Sequence, residues 1–274
     1  MPAEALAVAM RPRCDLAPPT NTPHIEVRDL TMAYGDTVLQ SGLDFTVGRG
    51  DIFIIMGGSG SGKSTLLNHM LGLIAPAAGQ VVIGGRSLWE LDLDERDQLL
   101  RRVGVLYQSG ALWSSMTLEE NVALPLGEYT DLTARQIHEL VQLKLALVGL
   151  SGFEDYFPSQ ISGGMRKRAG LARAIALDPE LLFFDEPSAG LDPVSARRLD
   201  ELILQLRADL GATIVVVTHE LESIFTIGDN SVFLDIESKT QIARGDPRRL
   251  RDECDDSAVR RFLTRGREPA EPGP

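Results

Sequence analysis

The run Gly57-Gly58-Ser59-Gly60-Ser61-Gly62-Lys63-Ser64 fits the pattern G-x-x-x-x-G-K-S/T, a loop that wraps the phosphates of a nucleotide. The chemistry demands these residue types. Consecutive backbone N–H groups must converge on a phosphate, which glycine permits by its dihedral freedom and by letting the chain come close. The Lys63 ammonium would reach the β- and γ-phosphates, and the Ser64 hydroxyl would ligate Mg²⁺. A second group, Leu181–Phe184 followed by Asp185 and Glu186, is an apolar run ending in two carboxylates. At the end of a buried strand Asp185 can hold Mg²⁺ through its water shell, and Glu186 can act as general base on an attacking water. A polar pair capping a strand before Pro187 is the plain alternative. A third group, Ser162-Gly163-Gly164-Met165, precedes a helical pattern and offers a hydroxyl and free N–H groups to an anion, or an ordinary Ser N-cap.

The elements that must position these groups can be read around them. Asp51–Met56 reads as a buried strand and Lys63–Gly72 as a helix, so the phosphate loop opens a helix N-terminus, where the dipole favours anions. Ile25–Arg28 and Leu43–Val47 alternate as antiparallel strands do, whereas Val103–Tyr107, Leu181–Phe184, Thr213–Thr218 and Val232–Leu234 are apolar enough for a sheet covered on both faces. The spacing predicts helices over Thr133–Leu147 and Gly164–Leu177, and a later one carrying Leu199, Leu202, Ile203, Leu206 and Leu210 on one face and ending before Gly211. The expected fold class is α/β, a largely parallel core with an antiparallel β subdomain and a helical insertion over about 92–177. Residues 1–23, Ala/Pro-rich and aperiodic, read as a disordered tail, 24–248 as a nucleotide-binding domain and 249–274 as a C-terminal extension frayed from Glu268 on.

Composition narrows the partners. A formal net charge of −12 argues against a nucleic-acid surface, and of only four lysines one stands in the phosphate loop. Cys14 and Cys254 lie far apart in the sequence, which suggests a reducing compartment without a disulfide framework. No apolar stretch approaches the roughly 20 residues that span a bilayer, and Ala5–Met10 is too short for a signal peptide's apolar core. The expectation is a cytoplasmic polypeptide whose membrane role, if any, comes through a partner.

From about Ile25 to Leu263 the chain resembles the nucleotide-binding subunits of ABC transporters. The motifs stand in that family's order: phosphate loop 57–64, Gln108, signature Ser162–Met165, Asp185-Glu186, the Ser188–Asp192 loop and His219. The resemblance implies an ABC-type P-loop NTPase with ATP and Mg²⁺ as cofactors. It implies ATP contacts from Gly57 through Thr65, adenine stacking on Tyr34, and Mg²⁺ contacts from Ser64, Gln108 and Asp185. Glu186 and His219 become catalytic, His219 holding the γ-phosphate. The signature would act on ATP bound by a second copy, making a homodimer with Asp192 linking its two sites. Taken singly, Tyr34 could be a turn aromatic, Gln108 the end of a strand, and His219 a satisfied histidine at a strand end.

Within the family, Met165 replaces the commoner Gln and is followed by Arg166-Lys167-Arg168; Tyr107–Trp113, Asn121–Leu126, Leu171–Pro179 and Ala258–Leu263 are also distinctive. Together they resemble the ATPases of Mla/Mce-type lipid transporters. That implies an integral permease, Mce-domain and small accessory subunits as partners, and a peripheral place on the cytoplasmic face of the inner membrane. In the family, the apolar stretch Ala111–Leu126 helps to receive a permease helix; core packing accounts for about half of it, and Trp113 is the expected partner contact. Other readings are an ABC ATPase for a drug, metal or solute, and a soluble ABC ATPase acting on ribosomes or DNA. Cargo and direction of transport are not encoded in these motifs.

Overall fold

The computed structural model describes residues 14–16 and 23–266. In chain order they form β1 (Cys14–Leu16), β2 (Pro23–Tyr34), β3 (Thr37–Gly48), β4 (Ile52–Gly57), α1 (Lys63–Met70), β5 (Ala78–Ile83), β6 (Arg86–Ser87), α2 (Leu93–Leu100), β7 (Val103–Leu106) and α3 (Leu118–Tyr129). There follow α4 (Ala134–Leu147), α5 (Gly163–Ala174), β8 (Leu181–Asp185), α6 (Pro193–Leu210), β9 (Thr213–Val217), α7 (Leu221–Ile227), β10 (Asn230–Asp235), β11 (Thr240–Gly245), α8 (Pro247–Glu253) and α9 (Ser257–Leu263). The chain divides into two compact units, one up to Leu91 joined by residues from Ile224 on, the other Asp92–Ser223.

In the first unit β2 pairs antiparallel with both β3 and β5. This is the expected antiparallel subdomain, with strands longer than their alternating cores. β4 is buried along its whole length, as its unbroken apolar sequence requires, and runs parallel to β10 with Gly57 opposite Leu234. β10 pairs antiparallel with β11, and Phe45 stacks on Phe53 at 5.3 Å between ring centroids.

Two terminal expectations need correction. Cys14–Leu16, assigned to a loose tail, is a strand parallel to β11, held also by an ion pair of 2.6 Å between Asp15 and Arg244. The remainder of that tail, 1–13 and 17–22, and Glu268–Pro274 lie outside the described residues, while Pro23 opens β2. The C-terminal boundary at 249 cuts through α8, and α9 belongs to this unit's core, with Phe262 meeting Phe233 edge-on at 5.2 Å. These pairings also bring the two cysteines together as free thiols. Burial, then a hydrogen bond with Cys254, pushes the Cys14 thiol up to about 12.

In the second unit β7, β8 and β9 form a parallel ladder, Leu106 level with Phe184 and Phe184 with Val216. The helical stretch expected over 92–177 holds α2 to α5 but encloses β7, and it belongs to a unit that continues to Ser223. α3 and α4 begin with capping boxes on Thr117 and Thr133, and Gly211 ends α6 in the left-handed conformation.

Asp200, buried on α6, accepts a hydrogen bond from Ser223 Oγ at 2.9 Å, while its other carboxylate oxygen has no partner among the described residues. Burial pushes its carboxyl up to about 6, helped by Glu222 and Glu201 and opposed by Ser223. The folded chain therefore holds this proton more tightly than the unfolded chain does. The resulting stability is full below the ordinary carboxylate pKa and is lost as pH rises through about 6. Asp200→Asn should remove a cost of roughly 2–3 kcal/mol at neutral pH. Thermal melts should show a midpoint raised by about 5 °C at neutral pH and a flatter decline over about pH 4–6; an unchanged profile would assign the slope to other groups.

Candidate functional site

The phosphate loop is built at the end of β4. β4 delivers Gly57 against β10, and a Cβ there would lie 2.3 Å from the Leu234 carbonyl oxygen and 2.8 Å from Ser61 Oγ. Gly57 adopts φ 149°, which glycine alone takes readily, so no other residue fits both the space and the turn. Lys63 Nζ donates to the carbonyls of Gly57 (3.1 Å) and Gly58 (2.9 Å), lying back along the loop. α1 opens on Gly62 with no side-chain cap and no acidic residue in its first turn, so its N-terminal N–H groups and dipole face no competing anion from those positions. Ser61 Oγ is buried without a hydrogen-bond partner among the described residues, an orphan that a phosphate oxygen would satisfy.

Gln40 was not singled out from sequence, yet it holds this loop. Its buried Nε2 donates to Ser61 O and Asp235 O, both at 2.9 Å, tying the loop to the end of β10. A polar residue inside an apolar strand pattern was the available signal. Tyr34 ends β2 with 55% of its surface exposed, a position open to a stacking partner.

In the other unit a separate group of side chains stands at the carboxyl ends of β7, β8 and β9. The parallel register brings Gln108, Asp185, Glu186 and His219 to one end of three adjacent strands, the end where open α/β sheets bind ligands. Glu186 takes φ 49°, an uncommon conformation for a residue with a Cβ. Its N–H donates to Val217 O at 2.8 Å, and its Oε1 meets His219 Nδ1 at 2.8 Å. Oε2 is buried with no partner among the described residues. A carboxylate that is 12% exposed, paired with a histidine that is 55% exposed and with one oxygen uncommitted, can accept a proton from a water brought to it.

Ser162 caps α5, its Oγ accepting the Met165 N–H at 3.2 Å, and Ser162 and Gly163 are exposed. That exposed turn leaves the hydroxyl and the first N–H groups of α5 at the surface of the unit. Asp192 caps α6, accepting from the Val194 and Ser195 N–H groups and from Ser195 Oγ, which holds its carboxyl below the usual range. In the sequence Lys167 stands out only as a family mark. It is buried and donates to the main chain of the loop that carries Glu186.

The stretch 111–126 divides as expected. Leu118 and Val122 are core, whereas Trp113 is 58% exposed and Leu124 40%. They flank a groove of about 660 Å³ whose lining includes Tyr107, Pro125, Tyr129 and Arg173. Buried Asn121 shapes it, accepting from Trp113 N–H and donating to Trp113 O, Met116 O and Thr117 O. Arg173, its guanidinium pushed down by burial, reaches Ala111 O at 2.8 Å.

The ABC transporter domain family matches residues 40–189, which contain the phosphate loop, the signature and the paired carboxylates. The chain belongs to the ABC transporter family. It is 41% identical over 239 residues to the probable ribonucleotide transport ATP-binding protein mkl of Mycobacterium tuberculosis, covering 87% of this chain and 66% of that protein. The match thus spans just under two thirds of the mycobacterial relative. It is 40% identical to the intermembrane phospholipid transport system ATP-binding protein MlaF of Escherichia coli, covering 87% of this chain and 88% of MlaF. Among solved structures it resembles the dimeric post-hydrolysis ATP-binding cassette MJ0796 with ADP and Pi, at a TM-score of 0.71 and 29% identity over 78% of this chain and 96% of that one. The fold is that of an ABC ATPase cassette, as the motif order implies.

Gly57→Ala places a methyl group where Leu234 O already stands. Titration with a fluorescent ATP analogue should show affinity reduced by about tenfold or more, because strain above roughly 1.4 kcal/mol must be relieved by moving the loop. Wild-type affinity would mean that the loop does not take the phosphates.

Proposed function

We propose that this chain is the ATP-hydrolysing subunit of a transporter that moves phospholipid or a related lipid, of the Mla/Mce type. The observation that carries the catalytic part is the buried Glu186 carboxylate, bonded to His219 through one oxygen and open at the other, at the carboxyl end of β8. The cargo assignment is supported by 40% identity to MlaF across almost the whole of both chains.

Each unit contributes its own chemistry. In the first, Gly57, Gly58, Ser59, Gly60, Ser61, Gly62, Lys63, Ser64 and Thr65 take the phosphates, and Tyr34 stacks on adenine. In the second, Glu186 polarises the attacking water and takes its proton, while His219 orients Glu186 and holds the γ-phosphate. No cluster of three or more His, Cys, Asp or Glu side chains that could cage a metal occurs among the described residues. Ser64, Asp185 and Gln108 are hard oxygen donors suited to Mg²⁺ that arrives with the nucleotide and keeps part of its water shell. Bound Mg²⁺ would neutralise charge on the phosphate oxygens.

In a homodimer, Ser162, Gly163, Gly164 and Met165 of one copy would address the ATP of the other, and Asp192 would link the two sites; the exposure of Ser162 and Gly163 supports this reading. The dimeric MJ0796 cassette supports this arrangement. The groove beside Trp113 fits a cytoplasmic helix of an integral permease, with Mce-domain and small accessory subunits completing the assembly. Attachment would be peripheral, through the permease on the cytoplasmic face of the inner membrane; no helix of the described residues is long and apolar enough to cross a membrane. The name of the mycobacterial relative, a probable ribonucleotide transport protein, favours a second reading in which the same engine serves another cargo.

Glu186→Gln should lower ATP turnover by about 10²-fold or more while ATP still binds and the closed dimer accumulates; wild-type turnover in a phosphate-release assay would remove Glu186 as the base. For cargo, the tagged chain should recover a permease from detergent-solubilised membranes, and phospholipid vesicles should alter the complex's ATPase rate. A permease without lipid, whose ATPase responds to nucleosides but not to phospholipids, would favour the second reading.

A further inference from the structure

The loop after β8 has an unusual backbone, and one side chain grips it. Glu186 is in the left-handed region although it carries a Cβ and precedes Pro187, a position that favours extended dihedrals. Its own N–H bond to Val217 O fixes only one side of the residue. On the other side Lys167, buried at 7% exposure, donates from Nζ to Glu186 O (3.1 Å), Pro187 O (2.7 Å) and Ala189 O (2.7 Å). An ammonium has three protons, and all three go to this loop. Burial pushes the Lys167 ammonium down and Glu186 opposes the shift, so the carbonyls and the carboxylate together offset the desolvation of the charge.

Lys167 also lies on α5, five residues beyond Ser162, which caps that helix. We propose that Lys167 is a positioning residue for ATP hydrolysis, clamping the main chain of Glu186–Ala189 so that the Glu186 carboxylate stays on the attacking water. It fixes that loop to the helix whose N-terminus carries the signature. The inference rests on Glu186 being the base. Lys167 spends its donors on main-chain carbonyls, so it acts through the backbone of Glu186 rather than on the reacting groups themselves. Loss of the clamp lets Glu186 relax toward ordinary dihedrals, which re-aims its carboxylate while leaving the phosphate loop untouched.

The test compares Lys167→Met, Lys167→Gln and Glu186→Gln, alone and combined, in the full chain. Lys167→Met should lower kcat by about 10- to 100-fold, the cost of a misplacement near 1 Å, with ATP affinity unchanged. Lys167→Gln, which keeps two N–H donors without the charge, should recover part of kcat. In the Glu186→Gln background, Lys167→Met should still form the ATP-locked dimer on size exclusion, because phosphate loop and signature remain intact. Undiminished kcat in Lys167→Met would overturn the proposal. So would loss of the ATP-locked dimer, which would place the effect on the signature. Should Lys167→Met fail to fold, Lys167→Gln decides alone: reduced kcat with a retained dimer supports the clamp, and wild-type kcat rejects it. If Glu186→Gln itself turns over at the wild-type rate, the reading of Glu186 fails, an outcome seen without any Lys167 variant.

Discussion

Glu186 combines a left-handed backbone with a largely buried carboxylate, and the second unit depends on holding both in place. A parallel strand must end where its ladder ends, and β8 hands its last ladder partner, Asp185, to Val217 of β9. The next residue still finds a β9 acceptor, Val217 O, but only by turning sharply, which sets φ to 49°. The carbonyl is thereby turned toward α5 and the side chain toward His219. The strain, of order 1–3 kcal/mol for such a residue, is borne by hydrogen bonds with Val217, Lys167 and His219. A carboxylate held this way cannot relax without breaking one of them.

Both units use polar side chains in the same way, as fixed donors to loop carbonyls. Gln40 holds the phosphate loop, Asn121 closes the turn before α3, Arg173 grips the chain at Gly110 and Ala111, and Lys167 holds the loop after β8. A loop lacks a ladder partner, so its carbonyls must find donors elsewhere once buried. Supplying those donors from regular elements lets functional loops depart from regular dihedrals and still keep one conformation. The cost is a set of buried polar atoms left half-satisfied, such as Gln40 Oε1.

Much of this was legible in the sequence, and the limits have physical causes. β4, β8 and β9 are evident because strands buried on both faces are apolar throughout, the bounds of α4 because Thr133 starts it, and the end of α6 because Gly211 is a strong cap, whereas the Asp192 cap that starts α6 goes unread. The paired carboxylates were legible as chemistry because an apolar run ended on them. β1 was missed because three residues carry no period, and its stability comes from a ladder with a strand more than 220 positions away in sequence. Gln40 and Lys167 were missed as anchors for a related reason: a donor's value depends on which distant carbonyl it faces, and spacing within the sequence does not report that. The left-handed turn at Glu186 was likewise invisible, since no glycine marks it.

α5 makes the second unit more than a sum of motifs. Along one helix stand Ser162 at its cap, Lys167 against the loop after β8, Gly170 against Gly110, and Arg173 bonded to Gly110 O and Ala111 O. A Cβ on Gly170 would come within 2.8 Å of Gly110 O, so helix and Gln108 loop are in direct backbone contact with no compressible side chain between them. A helix is stiff along its axis, and close-packed backbone transmits displacement rather than absorbing it. A shift at Ser162 would therefore be felt at Glu186 through Lys167 and at the groove beside Trp113 through Gly170 and Arg173. Replacing Gly170 by any larger residue would separate helix and loop before it touched a single group that does chemistry.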